Sequence, residues 1–301
     1  MKRHLSSLVG FTILRLRSGF TIIELLVVIS VIAILAAITL VSYSGVSSRA
    51  TIATMQSDLS SASTALRLDQ ATTDSFPASL ALANNGRGIA PSQSMDDIIY
   101  VPDNTSNPKN FCLQYRKGTN TYAVDATTQP SKGVCLQNLV TNGDFSNGVT
   151  GWNLSGAPQI ISTTGGYVTM LADTRDEGLI QYLTVVSGDT YYWRFNAISS
   201  KAATGDGPYT FISNITNFTT KWIINSQQSY SYVGPATSTS ANIYLRDYRT
   251  VGFDNYSFGN FVLVDLTASF GAGNEPTKAT MDTIMSNYPN SWFNITAKAN
   301  L

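Results

Sequence analysis

The hydrophobic pattern changes character three times along the chain. From Leu25 to Tyr43 no residue is charged and most are apolar. At about 1.5 Å per helical residue, a run of that length just spans the hydrocarbon of a membrane. One carboxylate, Glu24, stands at its edge. Further on, Ile52, Met55, Leu59, Ala62 and Leu66 recur at steps of three and four, which predicts one apolar stripe on a continuing helix. The expectation is a single helix over residues 20–71, apolar all round in its first half and amphipathic in its second.

Turn residues then break the pattern at Pro77, Asn84, Asn85, Gly86 and Gly88. The period shortens to two. Phe111, Leu113 and Tyr115 share one face of a predicted strand, a turn falls at Gly118–Asn120, and Tyr122 and Val124 follow. This segment, 72–136, is small and needs the helix's amphipathic half as its second layer. From 137 to 301, short alternating runs such as "GYVTMLAD", "DTYYWRFNAIS" and "ANIYLRDY" are spaced by Gly, Asn and Ser. They predict a β-sandwich or jelly roll. In the second of these runs Tyr191, Trp193 and Phe195 share the face read as core, and Tyr192, Arg194 and Asn196 share the other. Met281, Ile284, Met285 and Tyr288 have helical spacing, so a short helix is expected from near Pro276 to Pro289, closing one end of the sandwich. The predicted fold class is α+β: a long N-terminal helix with a small antiparallel-sheet head, then an all-β sandwich with a short C-terminal helix.

Composition narrows the chemistry. The chain has 301 residues, of which 13% are charged, and its formal net charge is zero. The first nineteen residues carry Lys2, Arg3, Arg15 and Arg17 and no acid, so without them 15 basic residues face 19 acidic ones. A chain of that sign has no general attraction to nucleic acid. The basic leader also favours a cytoplasmic N-terminus. A cleaved signal peptide fits poorly, because no small-x-small site closes the apolar run. The single histidine, His4, lies in the leader. Beyond it, Ser-His-Asp and Cys-His catalysis and His-ligated metals are excluded. Cys112 and Cys135 form one even pair, which outside the cell reads as a disulfide; two separate buried thiols are the other reading.

The stretch "RSGFTIIELLVVISVIAILAAI" closely resembles the N-terminus of type IV prepilins and type II secretion pseudopilins. The resemblance implies cleavage by a prepilin peptidase after Gly19, which removes leader 1–19, and methylation of the new terminal amine on Phe20. It also implies that Glu24 acts in filament assembly. A carboxylate at membrane depth is costly and usually functional. Facing the α-amine of Phe20 on a neighbouring subunit, Glu24 would compensate two buried charges at once and set axial register. Other pilin subunits and the inner-membrane assembly machinery are then the expected partners. The precursor would be a single-pass cytoplasmic membrane protein and the assembled subunit part of an extracellular filament. The segment 72–136 is similar to a pilin head, with the disulfide clamping its C-terminal part.

The phrase "NGDF", Asn142 to Phe145, with the later Gly151 and Trp152 resembles the opening of carbohydrate-binding-module-like jelly rolls. The ending "VDLTASFGAGNEPTKATMDTIMSNYPNSWFN" resembles sandwich domains of phage tail and other surface proteins. Such modules often hold a structural Ca²⁺, for which Asp144 and Asp254 are the candidates beside a plain turn-forming role; no other cofactor is expected. By strand alternation Tyr192, Arg194, Tyr244 and Arg246 are the candidate ligand-binding groups.

Three functions fit these features. The first is a non-enzymatic filament subunit, minor or at the tip, whose sandwich adheres to a surface glycan or protein. The second is a pseudopilin of a type II secretion-like system. The third is a tethered glycosidase, against which the nearest carboxylates, Asp173, Asp176 and Glu177, read as a solvated turn.

Overall fold

The computed structural model describes residues 19–199, 207–216, 221–222, 228–249 and 255–301, and for 39–44, 199, 221–222, 228 and 291 the backbone alone. The leader up to residue 18 and Asp254 lie outside the described residues. The chain divides into two compact units, Met1–Thr51 and Ile52–Leu301.

The described residues of the first unit hold the opening part of helix α1 (Ile22–Thr73). Its apolar side chains are bare: Phe20 and Ile22 are each 84% exposed, and the aliphatic residues from Ile23 to Ile38 are exposed as well. The membrane-crossing run expected over Leu25–Tyr43 is not met as such. Among the described residues no helix is long and apolar enough to cross a membrane, and the side chains of that run are described only as far as Ile38.

In the second unit the rest of α1 behaves as its periodicity predicts. Met55, Leu59, Ala62 and Leu66 are buried and pack with Phe111, Leu113, Tyr115 and Val124. The helix ends at Thr73, where Asp74 takes a left-handed backbone conformation (φ 56°). Buried Asp69 accepts backbone N–H bonds from Asn84 at 2.6 Å and Asn85 at 3.1 Å, which satisfies the left-handed short turn α2 (Ala83–Gly86). The head sheet follows, with β1 (Asp97–Asp103), β2 (Asn110–Lys117), β3 (Asn120–Asp125) and β4 (Ser131–Gln137). Cys112 and Cys135 are joined by a disulfide between β2 and β4.

The sandwich strands come next. They are β5 (Asn153–Ser155), β6 (Gln159–Thr164), β7 (Tyr167–Leu171), β8 (Gly178–Thr184), β9 (Thr190–Ser199), β10 (Pro208–Ile212), β11 (Lys221–Trp222), β12 (Gln228–Pro235), β13 (Ser240–Asp247) and β14 (Tyr256–Asp265). They form two antiparallel five-stranded sheets ordered β11-β10-β13-β8-β5 and β12-β9-β14-β7-β6. Apart from the hairpins β6-β7 and β10-β11, successive strands switch between the sheets, as in a jelly roll. The NGDF phrase builds core rather than ligand contacts. Phe145 and Trp152 lie 5.2 Å apart and both meet Phe261. Gly143 passes so close to the Phe261 carbonyl that a Cβ would sit 2.5 Å from it, which only glycine tolerates.

Two expectations require correction. Helix α3 (Leu266–Phe270) and helix α4 (Lys278–Met285) are followed by β15 (Thr296–Asn300), which pairs antiparallel with β4 and completes the head sheet in the order β1-β2-β3-β4-β15. Residues 137–301 are therefore not a separate module, because the sandwich is inserted into the head. Nor does the C-terminal helix cap an open end of the sandwich. Met281, Ile284 and Met285 of α4 share a second core with Tyr192, Val262 and Val264 of the sandwich and with Val134, Leu136, Ala297 and Ala299 of the head. The β12-β9-β14 sheet is thus covered on both faces here. Buried polar groups tie the joint. The Asn138 amide donates to the Phe261 and Phe293 carbonyls, and its oxygen accepts from Val140 and Leu263 N–H. Buried Gln114 links the Cys135 N–H to the Ser269 carbonyl.

Candidate functional site

Two regions carry the candidate chemistry read from the sequence, the methylation-type N-terminus and the sandwich surface. At the first, Gly19 and Phe20 precede the helix and are exposed. Thr21 and Glu24 form a reciprocal cap. The Glu24 carboxylate accepts from the Thr21 N–H at 2.8 Å and from its hydroxyl at 2.9 Å, while the Glu24 N–H donates to the Thr21 hydroxyl at 3.2 Å. This is the Thr-x-x-Glu capping box of a helix start. Its spacing is visible in the sequence and gives Glu24 a local role in addition to the assembly role read there.

On the sandwich, the outer-face alternation of β13 is regular, with Ala241, Ile243 and Leu245 buried and Asn242, Tyr244 and Arg246 half-buried. Cross-strand register sets Phe211 and Tyr209 of β10 opposite Tyr244 and Arg246, and Tyr182 of β8 opposite Asn242. The rings of Tyr209, Phe211 and Tyr244 stack in sequence, at 5.9 Å and 7° and then at 4.3 Å and 10°. The Arg246 guanidinium lies 4.6 Å from the Tyr244 ring centre and donates to the Ser155 hydroxyl at 3.1 Å. Its Nε is buried with no hydrogen-bond partner. The Asn242 amide donates to the Tyr244 hydroxyl at 3.2 Å. At the other end the Tyr209 hydroxyl donates to Asp176 at 2.7 Å, and burial with that neighbouring carboxylate pushes the phenol up to about 12. Arg175 rests 3.3 Å over the Tyr248 ring.

This arrangement divides the four ligand-binding candidates. Tyr244 and Arg246 sit together on the open face. Tyr192 does not: it is fully buried in the second core, and its hydroxyl donates to Asp282 at 2.9 Å. Arg194 is half-buried and lies 4.0 Å from the same Asp282 carboxylate. Both are therefore corrected to packing roles, because the face that alternation assigns them is covered by α4 rather than by solvent. Tyr244 is also changed in role. Its ring is stacked against Phe211 and Arg246, so it forms part of a rigid wall and has no free face. The open ring is Tyr182, 63% exposed. Alternation against Leu179 and Leu183 signals it, and the same reasoning finds Tyr209 and Phe211.

The acidic cluster builds a turn. Burial alone would raise the Glu177 carboxyl, but N–H groups of Ala157, Asp173 and Thr174 donate to it at 3.0, 3.0 and 3.2 Å and hold it down to about 2. A glutamate lowered from its ordinary 4.5 contributes stability that is complete above about pH 4.5 and lost as pH falls through about 2. Thermal unfolding of the full chain in detergent is expected to show this: Glu177→Gln lowers the midpoint at pH 7 and narrows its difference from wild type between pH 4.5 and 2. A difference independent of pH would remove the carboxylate from this role.

Asp144 accepts from the Ser146 N–H at 3.2 Å and hydroxyl at 2.9 Å, which is a turn contact. Calcium takes six to eight oxygens. Among the described residues no cluster of three or more acidic, His or Cys side chains could hold a metal, and the second candidate, Asp254, lies outside the described residues.

Solved structures similar to this chain include the N-terminal cellulose-binding domain of Cellulomonas fimi β-1,4-glucanase C, with 16% identity, TM-score 0.32, and coverage of 42% of this chain and 97% of that one. A family 16 carbohydrate-binding module has 17% identity, TM-score 0.33, and coverage of 42% and 100%. The enzymatically active domain of bacteriophage CBA120 tailspike protein 4 has 16% identity and TM-score 0.34 over 42% of this chain, which spans about a fifth (21%) of that domain's length. No curated protein sequence matches the chain significantly. Residues 14–40 match the prokaryotic N-terminal methylation motif, so the chain carries the type IV pilin signal at its head.

Proposed function

We propose that this chain is a minor or tip subunit of a type IV pilin-like filament, and that its sandwich presents a glycan-binding face for adhesion. The methylation motif implies a prepilin peptidase substrate, a membrane-anchored precursor and an extracellular filament. The bare apolar surface of the first unit supports the same reading, since contiguous exposed hydrophobic area of this kind marks a membrane or protein contact. Neighbouring subunits' helices would cover it after assembly. A sandwich inserted in the head adds bulk that a homopolymer wall would have to accommodate, which favours a minor or terminal place.

The observation that carries the binding role is the open Tyr182 ring beside the rigid Tyr209–Phe211–Tyr244 wall. A sugar's C–H face packs on a free ring, and the adjoining Asn242 amide, Tyr244 hydroxyl and Arg246 guanidinium can hydrogen-bond its hydroxyls. The full chain in detergent, applied to a glycan array, is expected to bind. Tyr182→Ala should then weaken binding by about five- to thirtyfold, the equivalent of roughly 1–2 kcal/mol, with little loss of stability because the ring is exposed. Unchanged binding by this variant would place recognition elsewhere. Unchanged adhesion of filaments that lack the chain would remove the adhesive role.

A further inference from the structure

We infer a second ligand site, for a single neutral sugar residue, in a cavity of about 430 Å³ where the head and the sandwich meet. It does not rest on the aromatic face, because none of its lining residues belongs to that face. Small-molecule sites occupy clefts of about 300–1,000 Å³, and this cavity has that size. Its lining contains no charged side chain and no aromatic ring. Amides and hydroxyls predominate, and Val140 and Ile295 supply the apolar part.

The walls are held from three directions. Asp103 accepts from the Thr105 and Ser106 N–H groups, each at 3.0 Å, and so fixes the head loop. Asn294, just before the returning β15, donates its amide to the Thr105 and Ser106 hydroxyls at 3.2 and 3.1 Å. Asn142 donates to the Gly148 and Thr150 carbonyls at 2.9 and 3.0 Å and accepts the Asn147 N–H at 3.1 Å, which closes the 142–150 loop. Against these fixed backbones, the side-chain polar atoms of Thr141, Asn147 and Thr150 make no hydrogen bond to any described residue.

The donor set defines the ligand class. Neutral amides and hydroxyls both donate and accept, which matches the paired hydroxyls or acetamido group of a neutral sugar. A lining without Lys or Arg offers nothing to compensate a buried anion, and one without Asp or Glu offers nothing to a cation. Without a ring to stack on, and with Thr105, Thr141, Ser146, Asn147 and Thr150 exposed, affinity must come from hydrogen bonds. A monosaccharide therefore fits better than an extended chain.

Saturation-transfer NMR tests this on the full chain in a detergent with no sugar headgroup, with glucose, galactose and N-acetylglucosamine as probes and glucuronate as the anionic comparison. The expected result is saturable binding of at least one neutral sugar and at least about fivefold weaker binding of glucuronate. Asn147→Ala combined with Thr150→Val removes two exposed side-chain partners and should weaken the neutral sugar by at least about fivefold, and by the same factor in a Tyr182→Ala background, where the aromatic face no longer contributes. Lack of saturable binding by all three neutral sugars would overturn the proposal. So would equal binding of glucuronate to the wild-type chain, a reading that does not depend on the variants folding. Loss of sugar binding with Tyr182→Ala but not with the double variant would assign the signal to the aromatic face and also overturn it.

Discussion

Gly19→Val is expected to leave the full-length precursor in the cell, with no chain beginning at Phe20 detectable by N-terminal mass analysis. The residue before the scissile bond is exposed and lies directly ahead of the helix. On the proposed processing, its small size would let a membrane-face peptidase reach the bond, and a branched side chain would block that approach. A chain that still begins at Phe20 would overturn the assignment of the cleavage site. Glu24→Ala is the complementary variant. It keeps the proposed cleavage site and removes both the reciprocal cap with Thr21 and the counter-charge proposed for a neighbour's terminal amine. Losing the cap costs about 1 kcal/mol of local helix stability, which an assembled helix tolerates. Losing the charge partner leaves an uncompensated ammonium among apolar helices, worth several kcal/mol. Processing should therefore remain near wild type while incorporation into filaments falls at least about tenfold. Capping alone would move incorporation little, so the size of the drop separates the two roles. Normal incorporation in competition with wild type would overturn the pairing.

Tyr192→Ala should be the most destabilising of the substitutions considered, by about 3–5 kcal/mol, the range for removing a large buried side chain. The ring is fully buried between the sandwich and the head strands, and its hydroxyl bonds Asp282. Because that core draws on β4, β9, β14, β15 and α4, head and sandwich should lose structure in one transition. Urea unfolding of the full chain, followed by tryptophan fluorescence and by protection of the head amides, measures both effects. Two separate transitions, or a cost below about 1 kcal/mol, would show that the shared core contributes little. If the alanine variant does not accumulate, Tyr192→Phe removes only the hydroxyl and should cost about 1 kcal/mol.

Where the determining physics is local, the chain's own pattern was sufficient. The helical stripe, the alternation of Phe111, Leu113 and Tyr115, and the methylation motif each depend on residues within a few positions of one another, and each appears as read, with Met55, Leu59, Ala62 and Leu66 in the core and Ile52 half-buried at the stripe's start. The disulfide pairs the two cysteines that the chain contains. Burial is continuous from Phe261 to Val264 in β14, a strand covered on both faces, and nothing local in the chain names what covers it. Pairing of β15 with β4 joins residues about 160 apart, such as Thr296 with Gln137, and a short alternating strand has no local feature that names its partner. That single pairing decides that the sandwich is an insertion, that α4 lies on the sheet beside Tyr192 and Arg194, and that those two residues are packed rather than presented. Tyr244 and Tyr182 alternate identically in their strands, but only the cross-strand neighbour distinguishes them. Phe211 stacks on the first and leaves the second open, because sheet register, unlike helical or strand periodicity, is set by segments distant in the chain.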